Sequence, residues 1–188
     1  DGSAKPQLAI DSSALGGMYA GAIKLVGTEA GVGVKLDGKL IASGGDIQLD
    51  ANGRLSLAET SASGAINVKA ASLDAQGAVY AGTTLNAQTQ GNLNNQKTLA
   101  ARDSITLNAG GQLTNNGIIE AGVKADNTRN ATGDVSLTAQ NLGNSGSVIA
   151  SRNLTANVAQ TLSNQGGTLS AGQTGTVKAA TLDNQNKG

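Results

Sequence analysis

The sequence of 188 residues contains no cysteine, histidine, tryptophan or phenylalanine, and Pro6 is its single proline. Tyr19 and Tyr80 are its only aromatic residues. Without cysteine there is neither a disulfide framework nor a thiolate metal site. Because aromatic side chains carry much of the burial in compact cores, a core without them must pack small and branched aliphatic side chains at regular spacing. These absences favour stacked layers over a conventional globule.

Positive and negative charges balance, because Lys and Arg total 13 and so do Asp and Glu. Charged residues make up 14% of the chain, so no net field favours nucleic acid or an anionic membrane. No apolar run approaches the roughly 18 residues that a membrane helix needs. The first ten residues also lack the basic end and apolar run of a signal peptide. We therefore expect no nucleic-acid partner and no membrane-embedded segment.

A leucine, usually followed two residues later by asparagine, recurs along the chain at a fixed interval. These leucines are Leu73, Leu93, Leu113, Leu142, Leu162 and Leu182. Their successive spacings are 20, 20, 29, 20 and 20 residues. A fixed period of about 20 residues is typical of a solenoid, in which each repeat forms one coil.

Each repeat holds three short segments in which apolar and polar residues alternate, as at Ile105 and Leu107. Alternation with a period of two indicates strands, and the Gly, Asn and Ser residues between the segments favour turns. The sequence therefore predicts an all-β fold, a right-handed parallel β-helix that is a three-sided solenoid with about 20 residues per coil. We expect one rod segment over residues 1–188, with less regular coils in 1–44 and regular repeats in 45–188.

Asparagine recurs two residues after most of these recurring leucines, the marker leucines of the repeat. Stacking of the coils would place the asparagine side chains above one another. They are Asn95, Asn115, Asn144, Asn164 and Asn184. Amides in register can bond from coil to coil as backbone amides do, and asparagine also tolerates the left-handed conformation of sharp turns. We expect a structural asparagine ladder here in preference to a ligand site.

The single 29-residue interval contains an insertion at residues 123–133, VKADNTRNATG. We expect it to bulge from the rod as a loop, because one turn can lengthen without disturbing the coils on either side. Exposed loops on rigid scaffolds often carry recognition. The candidate partner-binding residues are Lys124, Asp126, Arg129, Asn130 and the outward-pointing Tyr80. The alternative is an insertion without a binding role.

Two motifs precede the regular repeats, ALGGMYAG at 14–21 and KLVGTEAGVGV at 24–34. Together they closely resemble a stretch in the shafts of filamentous haemagglutinins and of the related contact-dependent growth inhibition exoproteins. The coils that follow resemble the haemagglutinin repeats of the same proteins. The resemblance covers essentially the entire chain.

The resemblance implies a very long rod exported by two-partner secretion, in which an outer-membrane transporter barrel recognises an N-terminal domain. Such a protein is secreted and displayed at the bacterial cell surface. In adhesins of the family the shaft presents carbohydrate- and host-cell-binding regions, and in growth-inhibition members it carries a receptor-binding region and a C-terminal toxin. This chain contains neither the asparagine-proline signatures expected of the secretion domain nor a segment resembling a toxin. We expect those activities to lie in other parts of the protein.

The expected function is therefore a structural shaft that presents adhesive or toxic domains to other cells, and we expect no enzyme activity, cofactor or metal. An adhesin module that binds a target-cell receptor or a glycan is the alternative. A polysaccharide lyase or hydrolase is a more remote one, because such enzymes also use parallel β-helices. Their sites need clustered carboxylates, whereas the acidic residues are spread along this chain and histidine is absent.

Overall fold

A computed structural model describes residues 8–11 and 17–188. The first three residues of the ALGGMYAG motif, 14–16, lie outside this range. The described chain consists of short strands joined by turns, with no helix among the described residues. Every pair of named strands is parallel, and the strands form three sheets.

The three sheets contain every third strand of the chain. The first sheet contains β1 (Leu8–Asp11), β4 (Gly33–Leu36), β7 (Arg54–Leu57), β10 (Ser72–Ala75), β13 (Leu93–Asn95), β16 (Gln112–Asn115), β19 (Asn141–Asn144), β22 (Thr161–Ser163) and β25 (Thr181–Asp183). The second contains β2 (Met18–Ala20), β5 (Leu40–Ala42), β8 (Thr60–Ala62), β11 (Val79–Ala81), β14 (Thr98–Ala101), β17 (Ile118–Ala121), β20 (Ser147–Ala150) and β23 (Thr168–Ala171). The third contains β3 (Ile23–Gly27), β6 (Ile47–Ala51), β9 (Ile66–Ala70), β12 (Thr84–Thr89), β15 (Ser104–Ala109), β18 (Asp134–Ala139), β21 (Asn153–Val158) and β24 (Thr174–Lys178).

Residues one repeat apart lie side by side on neighbouring coils. Leu73 pairs with Leu93, and Leu93 pairs with Leu113, each 20 residues further along the chain. One turn of the chain therefore places one strand in each sheet, and the next turn adds a strand to all three. This confirms the predicted three-sided parallel solenoid with about 20 residues per coil.

The core is a continuous column of aliphatic side chains inside the three sheets. Inward residues alternate with outward ones along each strand, as in β15, where Ile105 and Leu107 are fully buried and Thr106 and Asn108 are exposed. Leucine, isoleucine and valine fill the middle of the strands, and alanines such as Ala101 occupy their ends. Burying one large aliphatic side chain contributes about 1.5–3 kcal/mol, so stacked aliphatic layers stabilise the rod without aromatic residues.

Glycines occupy corners where consecutive coils approach most closely. A Cβ added at Gly117 would lie 1.8 Å from the carbonyl oxygen of Lys97, and one at Gly146 would lie 1.9 Å from that of Gly117. Neither distance is sterically possible, so these corners require glycine because of the backbone of the coil before them.

Four successive coils, a to d, surround the insertion. Coil a spans residues 66–81, coil b 84–101, coil c 104–121 and coil d 134–150. The insertion connects coil c to coil d, between β17 in the second sheet and β18 in the third.

Candidate recognition surface

The insertion forms a short hairpin at the corner between the second and third sheets. At the equivalent corner of coil a, the two residues 82–83 are enough to join β11 to β12. Here residues 122–133 make the same connection. Gly122 opens the hairpin with a φ of 95°, and an antiparallel bridge joins Val123 to Arg129.

The tip of the hairpin is closed by local hydrogen bonds. The Lys124 amide donates to the Thr128 carbonyl oxygen, and the Asn127 amide donates to that of Lys124. Asn127 has a φ of 64°, in the left-handed region that asparagine tolerates. The carboxylate of Asp126 accepts bonds from the Thr128 hydroxyl at 2.6 Å and the Thr128 amide at 3.0 Å. These bonds from Thr128 lower the pKa of Asp126 and hold it ionised.

The hairpin lies outside the coils and folds back over the outer face of the second sheet. The Tyr80 hydroxyl donates to the Val123 carbonyl oxygen at 3.0 Å, although the two residues are 43 positions apart. Burial raises the pKa of the Tyr80 phenol above its ordinary value of 10.0. The phenol therefore remains a hydrogen-bond donor at neutral pH.

Two further side chains attach the returning limb of the hairpin. The Arg129 guanidinium makes two bonds to the Glu120 carboxylate, at 2.9 and 3.2 Å. The Glu120 side chain is only 13% exposed, whereas that of Arg129 is 59% exposed. This bidentate pair raises the pKa of Arg129. The side-chain amide of Asn130 donates to the Arg102 carbonyl oxygen at 2.7 Å.

An outward row of the second sheet runs beneath the hairpin. Register places its members one coil apart, in the order Tyr19, Ile41, Ser61, Tyr80, Ala100, Glu120, Ile149 and Ser170. Both aromatic residues of the chain therefore stand in one row. The hairpin and the part of this row from Ile41 to Glu120 line an open groove of about 1080 Å³.

The five predicted partner-binding residues divide into two groups. Tyr80, Arg129 and Asn130 are engaged in bonds that hold the hairpin against the sheet. Lys124 and Asp126 are exposed at the hairpin tip and line the groove.

Sequence reasoning missed Glu120, Ala100 and Arg102, which receive the hairpin. The 20-residue period was a usable signal, because it places Ala100 and Glu120 in the same outward row as Tyr80. The repeat thus predicts the outward residues of the second sheet as well as the inward ones.

The repeating asparagines form a chain of side-chain bonds inside the corner between the first and second sheets. The amide of Asn95 donates to the carbonyl of Asn115 at 2.8 Å, and Asn115 donates in the same way to Asn144 at 2.8 Å. The series continues from Asn144 to Asn164 and from Asn164 to Asn184, both at 2.7 Å. Each of the first three amides also donates to a backbone carbonyl of the following coil.

The first residue of this series, Asn95, has an unusual feature at its carbonyl. Its Oδ1 atom is buried and has no hydrogen-bond partner. The residue that stacks on it from the preceding coil is Ala75, which has no donor to offer. The series therefore begins at Asn95 because the column changes there from aliphatic residues to asparagine.

Residues 17–188 contain neither a cluster of metal ligands nor a membrane-spanning helix. No three His, Cys, Asp or Glu side chains are grouped there so that they could hold a metal ion. In the same part of the chain, no helix is long and apolar enough to cross a membrane.

Comparison with known proteins identifies relatives over most of the chain. A family model described as haemagglutinin repeat matches residues 3–59, 61–117 and 122–188. The tRNA nuclease CdiA of Yersinia mollaretii is 44% identical over 135 residues, which are 70% of this chain and 4% of that protein. Toxin CdiA of Escherichia coli is 38% identical over 182 residues, 95% of this chain and 5% of that protein. The 16S rRNA endonuclease CdiA of Enterobacter cloacae is 45% identical over 114 residues, 60% of this chain and 3% of that protein.

The chain thus spans only 3 to 5% of the length of these three relatives. No solved structure matches it significantly.

Proposed function

Because the chain belongs to the haemagglutinin repeat family, we propose that it is a segment of the shaft of a large secreted exoprotein that presents toxic domains at the cell surface. The observation that carries this proposal is the unbroken coil-to-coil pairing of all three sheets. A solenoid of this kind extends by adding coils, and each coil contacts only its neighbours. Its mechanical function is to hold the distal domains of the exoprotein away from the producing cell. We treat residues 1–188 as one such rod segment.

The activities in the relatives' names belong, on this proposal, to other parts of those proteins. The names describe nucleases and toxins of which this chain matches about one twentieth. The haemagglutinin repeat model matches almost the entire chain. The residues of this chain therefore form the coils of the solenoid. We propose that this segment itself catalyses no reaction, and that an outer-membrane transporter of the two-partner type recognises another region of the exoprotein.

Removing one whole coil tests the spacer role. Ile47 stacks on Ile66, so deletion of residues 47–65 in the full exoprotein should leave the remaining coils in register. A spacer shortened by one coil, about 4.8 Å, should still be displayed and still inhibit target cells. Deletion of residues 47–56 removes part of a coil and is the matched control, because it should disrupt the register. Loss of inhibition after the whole-coil deletion, with display intact, would contradict the spacer role.

A second candidate function is recognition of a target-cell receptor or glycan at the groove beneath the hairpin. The exposed Lys124 and Asp126 beside this open groove favour it. The test is saturable binding of the chain to bacterial and host cell surfaces, comparing Lys124→Ala with Lys178→Ala, an exposed lysine on the third sheet. Binding weakened only by Lys124→Ala would support recognition at the groove. Binding that is absent, or equally affected by both changes, would contradict it.

A further inference from the structure

The hairpin bonds to more coils than the strands of the described residues do. In the part of the chain that the structure describes, each strand pairs with the strand of the coil before it and of the coil after it. The hairpin, which leaves coil c, bonds to four successive coils. It reaches Tyr80 of coil a, the Arg102 carbonyl at the end of coil b, Glu120 of coil c and Ser151 at the end of coil d.

The bond to coil a is the most distant along the rod. Tyr80 lies two coils before the hairpin, because Ala100 stands between it and Glu120 in the outward row. Its hydroxyl donates to a backbone carbonyl, that of Val123. A separation of coil a from coil b would therefore also have to break this external bond.

The bond to coil d completes the span on the other side. The Ser151 hydroxyl accepts the Gly133 amide at 2.7 Å and donates to the side chain of Asn130 at 3.3 Å. Asn130 in turn donates to the Arg102 carbonyl at 2.7 Å. One asparagine side chain thus connects the ends of coils b and d, which are not adjacent.

Burial under the hairpin supports a packed contact and not a set of isolated bonds. Ala100 points away from the core, yet it is only 6% exposed. Val123 is likewise 6% exposed although it lies outside the solenoid. Both residues line the groove beneath the hairpin, and the Val123 amide donates to the carbonyl oxygen of Ala101, the residue after Ala100, at 3.1 Å.

We propose that residues 122–133 form a strap that joins coils a, b, c and d into one block that opens cooperatively. In a solenoid with nearest-neighbour contacts alone, coils can separate one at a time from either end. The strap stops such separation at the block it spans, because opening any boundary inside the block also breaks bonds of the strap. It is thus a local lock between neighbouring coils of the rod.

Deleting residues 123–132 tests the strap against a matched turn. The deletion leaves Gly122 and Gly133 as a two-residue connection, equal in length to residues 82–83 of coil a. Amide hydrogen exchange is then followed in β11, β14, β17 and β20. We expect exchange in these strands to become roughly tenfold faster, because several bonds of ordinary strength are lost. Exchange in β6, outside the block, should be unchanged. Unchanged exchange in all five strands would overturn the proposal.

Point variants test the same proposal if the deletion prevents folding. Tyr80→Phe removes only the bond to coil a, so β11 should lose protection while β20 keeps it. Asn130→Ala removes the connection between coils b and d, so β14 should lose protection. Lys124→Ala is the control, because the side chain of Lys124 is exposed at the hairpin tip. If the amide exchange rates of β11 and β14 in Tyr80→Phe and Asn130→Ala equal those in Lys124→Ala, the hairpin does not lock the coils.

Discussion

At the scale of single residues, the asparagine series stabilises the corner between the first and second sheets. An isolated buried amide would be costly, because its polar atoms would lose water without compensation. Here each amide is paired with the next asparagine and with backbone carbonyls. The exception is Oδ1 of Asn95, which faces Ala75 of the preceding coil.

Ala75→Asn should extend the series by one residue at little cost. The new amide would lie in register with Asn95 and could donate to its unpartnered Oδ1, whereas the new Oδ1 would face Leu57 of the preceding coil, which has no donor. We expect a change in stability of less than about 1 kcal/mol by chemical denaturation, because one hydrogen bond is gained while the unpaired carbonyl moves by one coil. Ala81→Asn is the matched control, because Ala81 is equally buried but stacks on Ala101, so it gains no such bond and should destabilise more. An equal loss of stability in the two variants would contradict the prediction.

Asn115→Ala should be strongly destabilising. Asn115 accepts a bond from Asn95 and donates to Asn144, and both bonds lie in the interior. The substitution leaves Oδ1 of Asn144 without its donor, at a cost of about 1–3 kcal/mol. Asn184→Ala is the comparison, because Asn184 is exposed and its loss should have a much smaller effect. Equal effects of the two substitutions in thermal denaturation would show that burial of the series contributes nothing.

At the scale of structural elements, the strap depends on the protonation of Tyr80. Its hydroxyl donates to Val123, and burial raises its pKa. A group whose pKa is raised by folding contributes stability that is fully present below its unfolded pKa, about 10 for tyrosine. That contribution is lost as the pH rises through the folded-state pKa. The strap should therefore detach in alkali before the coils separate.

This pH dependence can be measured on one residue. In a Tyr19→Phe variant Tyr80 is the only tyrosine of the chain. The absorbance of the phenolate then reports the titration of Tyr80 alone. We expect its pKa to lie above the ordinary value, and to return towards that value when residues 123–132 are deleted. A pKa that does not change on deletion would show that the strap does not bury Tyr80.

At the scale of the whole molecule, stability is the sum of coils and of the interfaces between neighbours. Leu107 is fully buried at the centre of the rod, whereas Leu182 in the last described strand is 58% exposed. Leu107→Ala should cost about 2–5 kcal/mol through lost burial and a cavity. Leu182→Ala should cost less than about 0.5 kcal/mol. Similar losses of thermal stability in the two variants would contradict a core that is continuous along the rod.

Much of the fold could be predicted from the sequence because one short pattern repeats. The 20-residue recurrence of the marker leucines and the two-residue alternation around Ile105 indicate three strands per coil. The tertiary pairing of Leu73 with Leu93 then follows from the repeat itself. The sequence predicted a loop at residues 123–133 but not the direction in which it folds, because these residues occur once and have no repeat to compare with.

The sequence alone determined the period, the number of sheets and the division of inward from outward positions, because identical repeats can satisfy their backbone only by stacking on one another. Only the tertiary structure decided where the insertion lies. That choice depends on the turn at Gly122 and on whether Tyr80, Arg102 and Glu120 stand within reach of one hairpin. Those three residues belong to different coils, and their proximity exists only once the coils have stacked.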